Sequence, residues 1–227
     1  MKLVLLPGLD GTGDMFAPLL STLEGFDVEV VPLPQTGNQD YETLTRYVMD
    51  RLPEEKFVLV AESFSAPIGA MLAARSIPQI KGIVFVATFL SAPNKLLLSL
   101  SKIMPLKVLA RLPFAKSAFR VLFLGKEADD NLAVLFQNTV RDLSSAVMKA
   151  RLTSIQTLAL ELPEIELPAV YILPSSDRLV PKSQSLKFKI YFKRLLVKEV
   201  EGPHFLLQTK PIAAVHILSE FADSLET

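Results

Sequence analysis

Short apolar runs recur along this chain and alternate with segments of helical periodicity, and that alternation constrains the fold more than any single residue does. Strands that alternate with helices build βαβ units, because parallel neighbours need a long crossover where antiparallel ones need only a turn. The β-branched and leucine-rich runs predict strands near 2–6, 28–33, 57–61, 82–87, 169–174 and 195–200. Helices are predicted near 14–24, 41–52, 65–76, 178–190 and 210–225. The fold class is therefore α/β, a mostly parallel six-stranded sheet with helices on both faces. Residues 91–162 interrupt the rhythm: they carry no clear strand and read as amphipathic helices punctuated by Pro93, Pro105, Pro113 and Gly125. This stretch is expected to be a helical cap inserted within a single domain spanning 1–227.

Composition narrows the function without naming it. A length of 227 residues buries a full core, and half of the residues are hydrophobic. The mean hydropathy of +0.35 leaves more apolar surface than a minimal core requires, some of it available to line a pocket. No apolar run reaches the roughly 18 residues of a membrane span, and the opening Lys2–Leu6 run stops at Pro7-Gly8, too early for a signal-peptide core. A cytoplasmic location is the expectation. The absence of cysteine excludes disulfides, thiolate metal sites and a cysteine nucleophile. Twenty-four basic residues balance 24 acidic ones, which argues against a nucleic-acid partner held by bulk charge.

Ala61-Glu62-Ser63-Phe64-Ser65 follows the apolar run Phe57–Val60 directly and precedes a helical pattern with Pro67 in its first turn and Pro78 after its end. A serine on a sharp strand-to-helix turn is a nucleophile elbow, which needs small residues two positions before and after it. Ala61 and Ser65 supply them, although the usual motif has glycine at both places. A serine hydroxyl needs a base, and the chain has two histidines. His216 projects from the polar face of the last helix, beside Glu220 and Asp223. His204 stands on a loop after a strand, where parallel sheets place their chemistry. Asp177, the one acid on the loop after the 169–174 strand, is the candidate to orient it. A helix N-cap is the competing role for that aspartate. Glu164 and Glu166 lie at the wrong end of the strand, and Glu62 is given a supporting role.

A second motif, Pro7-Gly8-Leu9-Asp10-Gly11-Thr12-Gly13, leaves the first strand. Its spacing is not that of a dinucleotide fingerprint, and the next strand runs into Pro32-Leu33-Pro34 instead of a ribose-binding acid. The loop suits an oxyanion site in which the N–H groups of Leu9 and Phe64 meet a developing negative charge. A plain glycine turn is the alternative.

With these residues the chain resembles the α/β-hydrolase superfamily over nearly its whole length, in the order Ser63, Asp177, His204. The resemblance implies that the first two of eight strands are missing and that 91–162 is the cap common in that superfamily. Pro7–Gly13 and Glu62–Ser65 are also similar to a group of small bacterial hydrolases, with Pro7-Gly8 where the family has His-Gly. The implied reaction is cleavage of a carboxylic ester or thioester through an acyl-enzyme, with no metal or other cofactor and a small-molecule acyl substrate. Acyl transfer shares that intermediate, and the opening motif also resembles plant phytyl-ester synthases. A ligand-binding module with a silent triad is the reading from another class.

No acid occurs between Glu62 and Glu127, whereas Arg75, Lys81, Lys95, Lys102, Lys107, Arg111, Lys116, Arg120 and Lys126 are basic. Leucines, Ile103, Met104, Phe114, Phe119 and Phe123 are interleaved with the last seven. Such a cap suits an anionic acyl compound or transient contact with anionic lipid. Solvated faces of amphipathic helices account for the same residues.

Overall fold

The computed structural model describes residues 1–93, 120–125 and 128–226. Six strands form one sheet: β1 (Lys2–Leu6), β2 (Val28–Val30), β3 (Phe57–Glu62), β4 (Ile80–Val86), β5 (Ala169–Pro174) and β6 (Leu195–Val200). Their order is β2-β1-β3-β4-β5-β6, and every neighbouring pair is parallel. The chain starts one strand in from an edge, forms that edge with β2, then crosses back over β1 and proceeds to the other edge. Both faces must then be covered, and the strand sequences obey that demand. Val4, Leu6, Leu59, Ala61, Ile83, Phe85 and Tyr171 point into the larger core. Their alternates Leu3, Leu5, Val58, Val60, Val84, Val170 and Ile172 point into the smaller one.

On the larger face lie α2 (Tyr41–Met49), α3 (Ala66–Ala73), α5 (Ser145–Gln156) and α6 (Gln184–Tyr191), whose buried residues join that core. The smaller face is covered by α1 (Ala17–Leu20), α7 (Leu206–Thr209) and α8 (Pro211–Ser224). Between α3 and α5 in sequence, α4 (Asp130–Asp142) packs Leu132, Ala133 and Phe136 in a third cluster with Met15 and Phe205. Local signals explain several starts. Asp40 caps α2 by accepting from the Thr43 N–H at 2.7 Å, and Asp129 caps α4 by accepting from Leu132 at 2.7 Å.

Several predicted boundaries move, each for a local reason. Strand 28–33 stops at Val30, shortly before Pro32 and Pro34, which have no N–H for a ladder. Strand 82–87 begins at Ile80 and stops at Val86, because Ala87 turns to a φ of 50°. The helix expected over 14–24 is a single tight turn, Asp14–Phe16, followed by the short α1. The one expected over 178–190 begins at Gln184: the Leu179 and Val180 N–H groups donate to Asp177 instead. The last helix splits, α7 preceding the expected start at 210, because Pro211 keeps Lys210 out of helical geometry at φ −133°. Within 91–162 the described residues include α4, α5 and a wide helical turn at Arg120–Leu124. Ser91 forms one isolated antiparallel bridge with Ala159. Pro105, Pro113 and the basic or apolar residues named at 95–119 and at 126 lie outside the described residues.

Candidate active site

The parallel register brings the strand ends level: Leu6 pairs with Ala61, Glu62 with Val86, Val86 with Ile172, and Pro174 with Val200. Loops leaving these ends therefore converge on one rim of the sheet. Ser63 follows β3 at once, and its φ of 46° places a non-glycine residue in the left-handed region. Such a conformation costs on the order of 1–3 kcal/mol and persists only where its surroundings enforce it. Two contacts enforce it here. The Ser65 hydroxyl donates to the Pro7 carbonyl, and the Thr88 hydroxyl donates to the Ser63 carbonyl. Ser65 thus does more than save space: it fastens the elbow to the glycine loop. Ala61 is small for a matching reason, since a Cβ on Gly69 of α3 would lie 3.0 Å from the Ala61 Cβ.

Ser63 Oγ lies 2.9 Å from Nε2 of His204, and Nδ1 of His204 lies 2.8 Å from Oδ2 of Asp177. The carboxylate fixes the tautomer with hydrogen on Nδ1, leaving Nε2 as the acceptor for the serine hydroxyl. Asp177 also accepts from the N–H groups of Leu179 and Val180 through Oδ1, at 2.8 and 2.9 Å. The two roles weighed for this aspartate, orienting the histidine and capping backbone N–H groups, are shared between its two oxygens. Backbone bonds from Ser175 to Val200 and from Ser176 to Gly202 bind the aspartate loop to the histidine loop. His204 and Asp177 side chains are 6% and 1% exposed, so water does not compete for their hydrogen bond. His216 stays in solvent at 72% exposure, 3.5 Å from Glu220.

Leu9 follows β1, on a loop shaped by Gly11 and Gly13 at φ 72° and 90°. Asp10 holds the bend by accepting from the N–H and hydroxyl of Thr12 at 2.9 and 2.7 Å. Among the described residues neither the Leu9 nor the Phe64 N–H donates to a protein acceptor outside the regular elements. The Phe64 N–H belongs to the first turn after β3, where backbone donors are left over.

Glu62, beside the serine, is buried and bonds through Oε1 to Nε2 of Gln208 on α7, at 3.0 Å. Burial raises its carboxyl to about 7, against the lowering influence of the Gln208 hydrogen bond; Asp10 raises it further and His204 lowers it. Elbow and histidine loop are thereby joined a second time. Sequence reasoning missed Thr88, Gln208 and Arg151. Arg151 alone carried a usable signal, a charge on the α5 stripe that also holds Met148, Leu152 and Ile155. Arg75 and Arg120 of the basic series pair with Glu42 and Asp130 at 2.9 and 2.8 Å. No metal-like cluster of His, Asp and Glu exists among the described residues, and none of their helices is long and apolar enough to cross a membrane.

A six-stranded parallel sheet with serine, aspartate and histidine leaving three strand ends defines a protein class: the α/β hydrolases. The family model described as the alpha/beta hydrolase fold matches residues 2–211, and the chain belongs to that family. Similar solved structures include the enol-lactonase of Burkholderia xenovorans LB400, at 19% identity and TM-score 0.81, covering 98% of this chain and 91% of that one. An esterase of Exiguobacterium antarcticum aligns at 15% identity and TM-score 0.80, covering 100% and 92%. The RedJ thioesterase of the prodiginine pathway in Streptomyces coelicolor aligns at 20% identity and TM-score 0.67, covering 97% and 84%. At these identities the likeness speaks for the fold. No curated protein matches the sequence.

Proposed function

We propose that the chain is a serine hydrolase that cleaves a carboxylic ester or thioester through an acyl-enzyme. The observation that carries this reading is the unbroken relay from Ser63 Oγ through His204 to Asp177, at 2.9 and 2.8 Å. Ser63 attacks the acyl carbonyl while Nε2 of His204 takes its proton. Asp177 supports the imidazolium, and the N–H groups of Leu9 and Phe64 receive the oxyanion. Collapse of the tetrahedral adduct breaks the bond to the alcohol or thiol, to which His204 returns the proton. Water, deprotonated by the same histidine, then attacks the acyl-serine and releases the acid.

An apolar acyl group fits the aromatic surroundings. The Phe205 ring lies 5.4 Å from the His204 ring, and Phe136 of α4 meets Phe205 edge-on at 5.0 Å. Phe123 extends that surface, 5.6 Å from Phe136. Residues 91–162 then act as the cap, with α4 closing over the histidine loop. The similar folds of an esterase, an enol-lactonase and a thioesterase support this reaction class.

The test is covalent labelling with a fluorophosphonate together with turnover of p-nitrophenyl esters and acyl-CoAs. Labelling and turnover are expected in the wild type and absent in Ser63→Ala. Labelling that persists in Ser63→Ala overturns the proposal.

A further inference from the structure

Arg151 on α5 has no exposed surface, and among the described residues no carboxylate stands within ion-pair distance of it. Burying a cation with no carboxylate in direct contact is costly, and a well-packed apolar side chain of similar volume usually serves stability as well or better. Packing alone therefore does not account for arginine here. What an arginine adds is a planar fork of donors. Nη1 donates to the Leu9 carbonyl at 2.7 Å, Nε to Oε1 of Gln39 at 2.9 Å, and Nη2 to the Pro34 carbonyl at 3.0 Å. Gln39 in turn donates to the Pro34, Thr36 and Gly37 carbonyls, so two loops are laced around one guanidinium. The guanidinium carbon also lies 5.7 Å from the Phe64 ring centroid, on a ring that Tyr41 stacks against at 5.0 Å. A Cβ on Gly11 would stand 2.3 Å from Nη1, so the glycine loop is shaped to receive this side chain.

Leu9 and Phe64 are the two residues whose N–H groups face the reacting carbonyl in the hydrolase reading, and Arg151 bonds the carbonyl of the first and lies over the ring of the second. We propose that Arg151 is a positioning residue of the oxyanion site, holding the Leu9 carbonyl and backing the Phe64 ring so that both N–H groups keep their aim. The inference rests on the hydrolase reading and on these two donors. A donor must stand about 2.7–3.1 Å from the oxyanion to stabilise it, so a loop free to swing by an ångström loses most of its effect. Burial lowers the guanidinium to about 10, with Asp10 acting in the opposite direction, so it stays charged at neutral pH. Because α5 closes the 91–162 segment, the arginine also ties that segment's last helix to the reaction centre.

The experiment compares wild type, Arg151→Met and Arg151→Lys in turnover of a short p-nitrophenyl ester, inhibition by an aryl trifluoromethyl ketone, and thermal melting. A positioning role predicts that kcat of R151M falls on the order of 10²-fold, with KM changed by less than about threefold. Affinity for the ketone, whose serine adduct carries the tetrahedral oxyanion, should fall by a similar factor. A merely structural role would lower the melting temperature and leave kcat and ketone affinity in place, and that result overturns the proposal. If R151M does not fold, R151K decides: its single ammonium cannot reach all three acceptors, so wild-type kcat in R151K overturns the proposal and a matching kcat loss supports it. The hydrolase reading is scored separately by fluorophosphonate labelling of wild-type Ser63. Wild type that labels and turns over beside an unimpaired R151M removes only the role of Arg151, whereas wild type that never labels removes both.

Discussion

Ser63 occupies a backbone conformation that few residues other than glycine adopt, and two hydroxyls from different loops hold its surroundings in place. Thr88→Val removes one of them at nearly constant volume. It should lower kcat by about tenfold while leaving the protein folded, checked by steady-state kinetics and circular dichroism. His204→Ala is expected to lower kcat on the order of 10³-fold or more, because a nucleophile, its base and the orienting acid act as a unit. Asp177→Asn keeps the oxygen that caps Leu179 and Val180 but presents an amide where His204 needs an acceptor. A kcat loss on the order of 10³-fold with little change in melting temperature is the expected signature, and a retained kcat would speak against the relay. These residues were legible in the sequence because each follows an apolar run that ends in a loop. Thr88 and Gln208 were not, since their partners are 25 and 146 positions away and nothing local marks them.

At the level of elements, the strand-turn-helix unit from β3 to α3 works because small residues meet where strand and helix cross. Gly69 faces Ala61 and Ile83, and a Cβ there would lie 3.0 and 2.9 Å from their side-chain atoms. Gly69→Val should cost about 1–3 kcal/mol by overpacking and displace the elbow, seen as a lower melting temperature together with reduced turnover. Strand and helix identities could be read from periodicity, whereas boundaries could not always be. Helix α6 starts late because Asp177 takes two N–H groups, a tertiary event invisible to local patterns. The split between α7 and α8 was legible in principle, for Pro211 restricts Lys210 by its own ring.

Across the whole molecule, one buried acid couples stability to pH. The Glu62 carboxyl, about 4.5 when unfolded, is raised by burial to about 7, so the folded state prefers it protonated. That preference is fully present below pH 4.5 and is lost as pH rises to about 7, a change of roughly 3 kcal/mol if other groups are held aside. Denaturant unfolding at pH 5 and pH 8 should show a larger loss for wild type than for Glu62→Gln, and equal losses would refute the assignment. The sheet order carries a different consequence. β1 sits inside the sheet while β6, last of the strands in sequence, forms its far edge, and His204, the hydrogen-bond partner of Ser63, is 141 positions downstream. The Ser63–His204 contact therefore joins two parts of the chain that come together only once β6 has docked beside β5. If the proposed hydrolase mechanism holds, fluorophosphonate reactivity of Ser63 requires the last strand to be in place, so a chain truncated before β6 should not label.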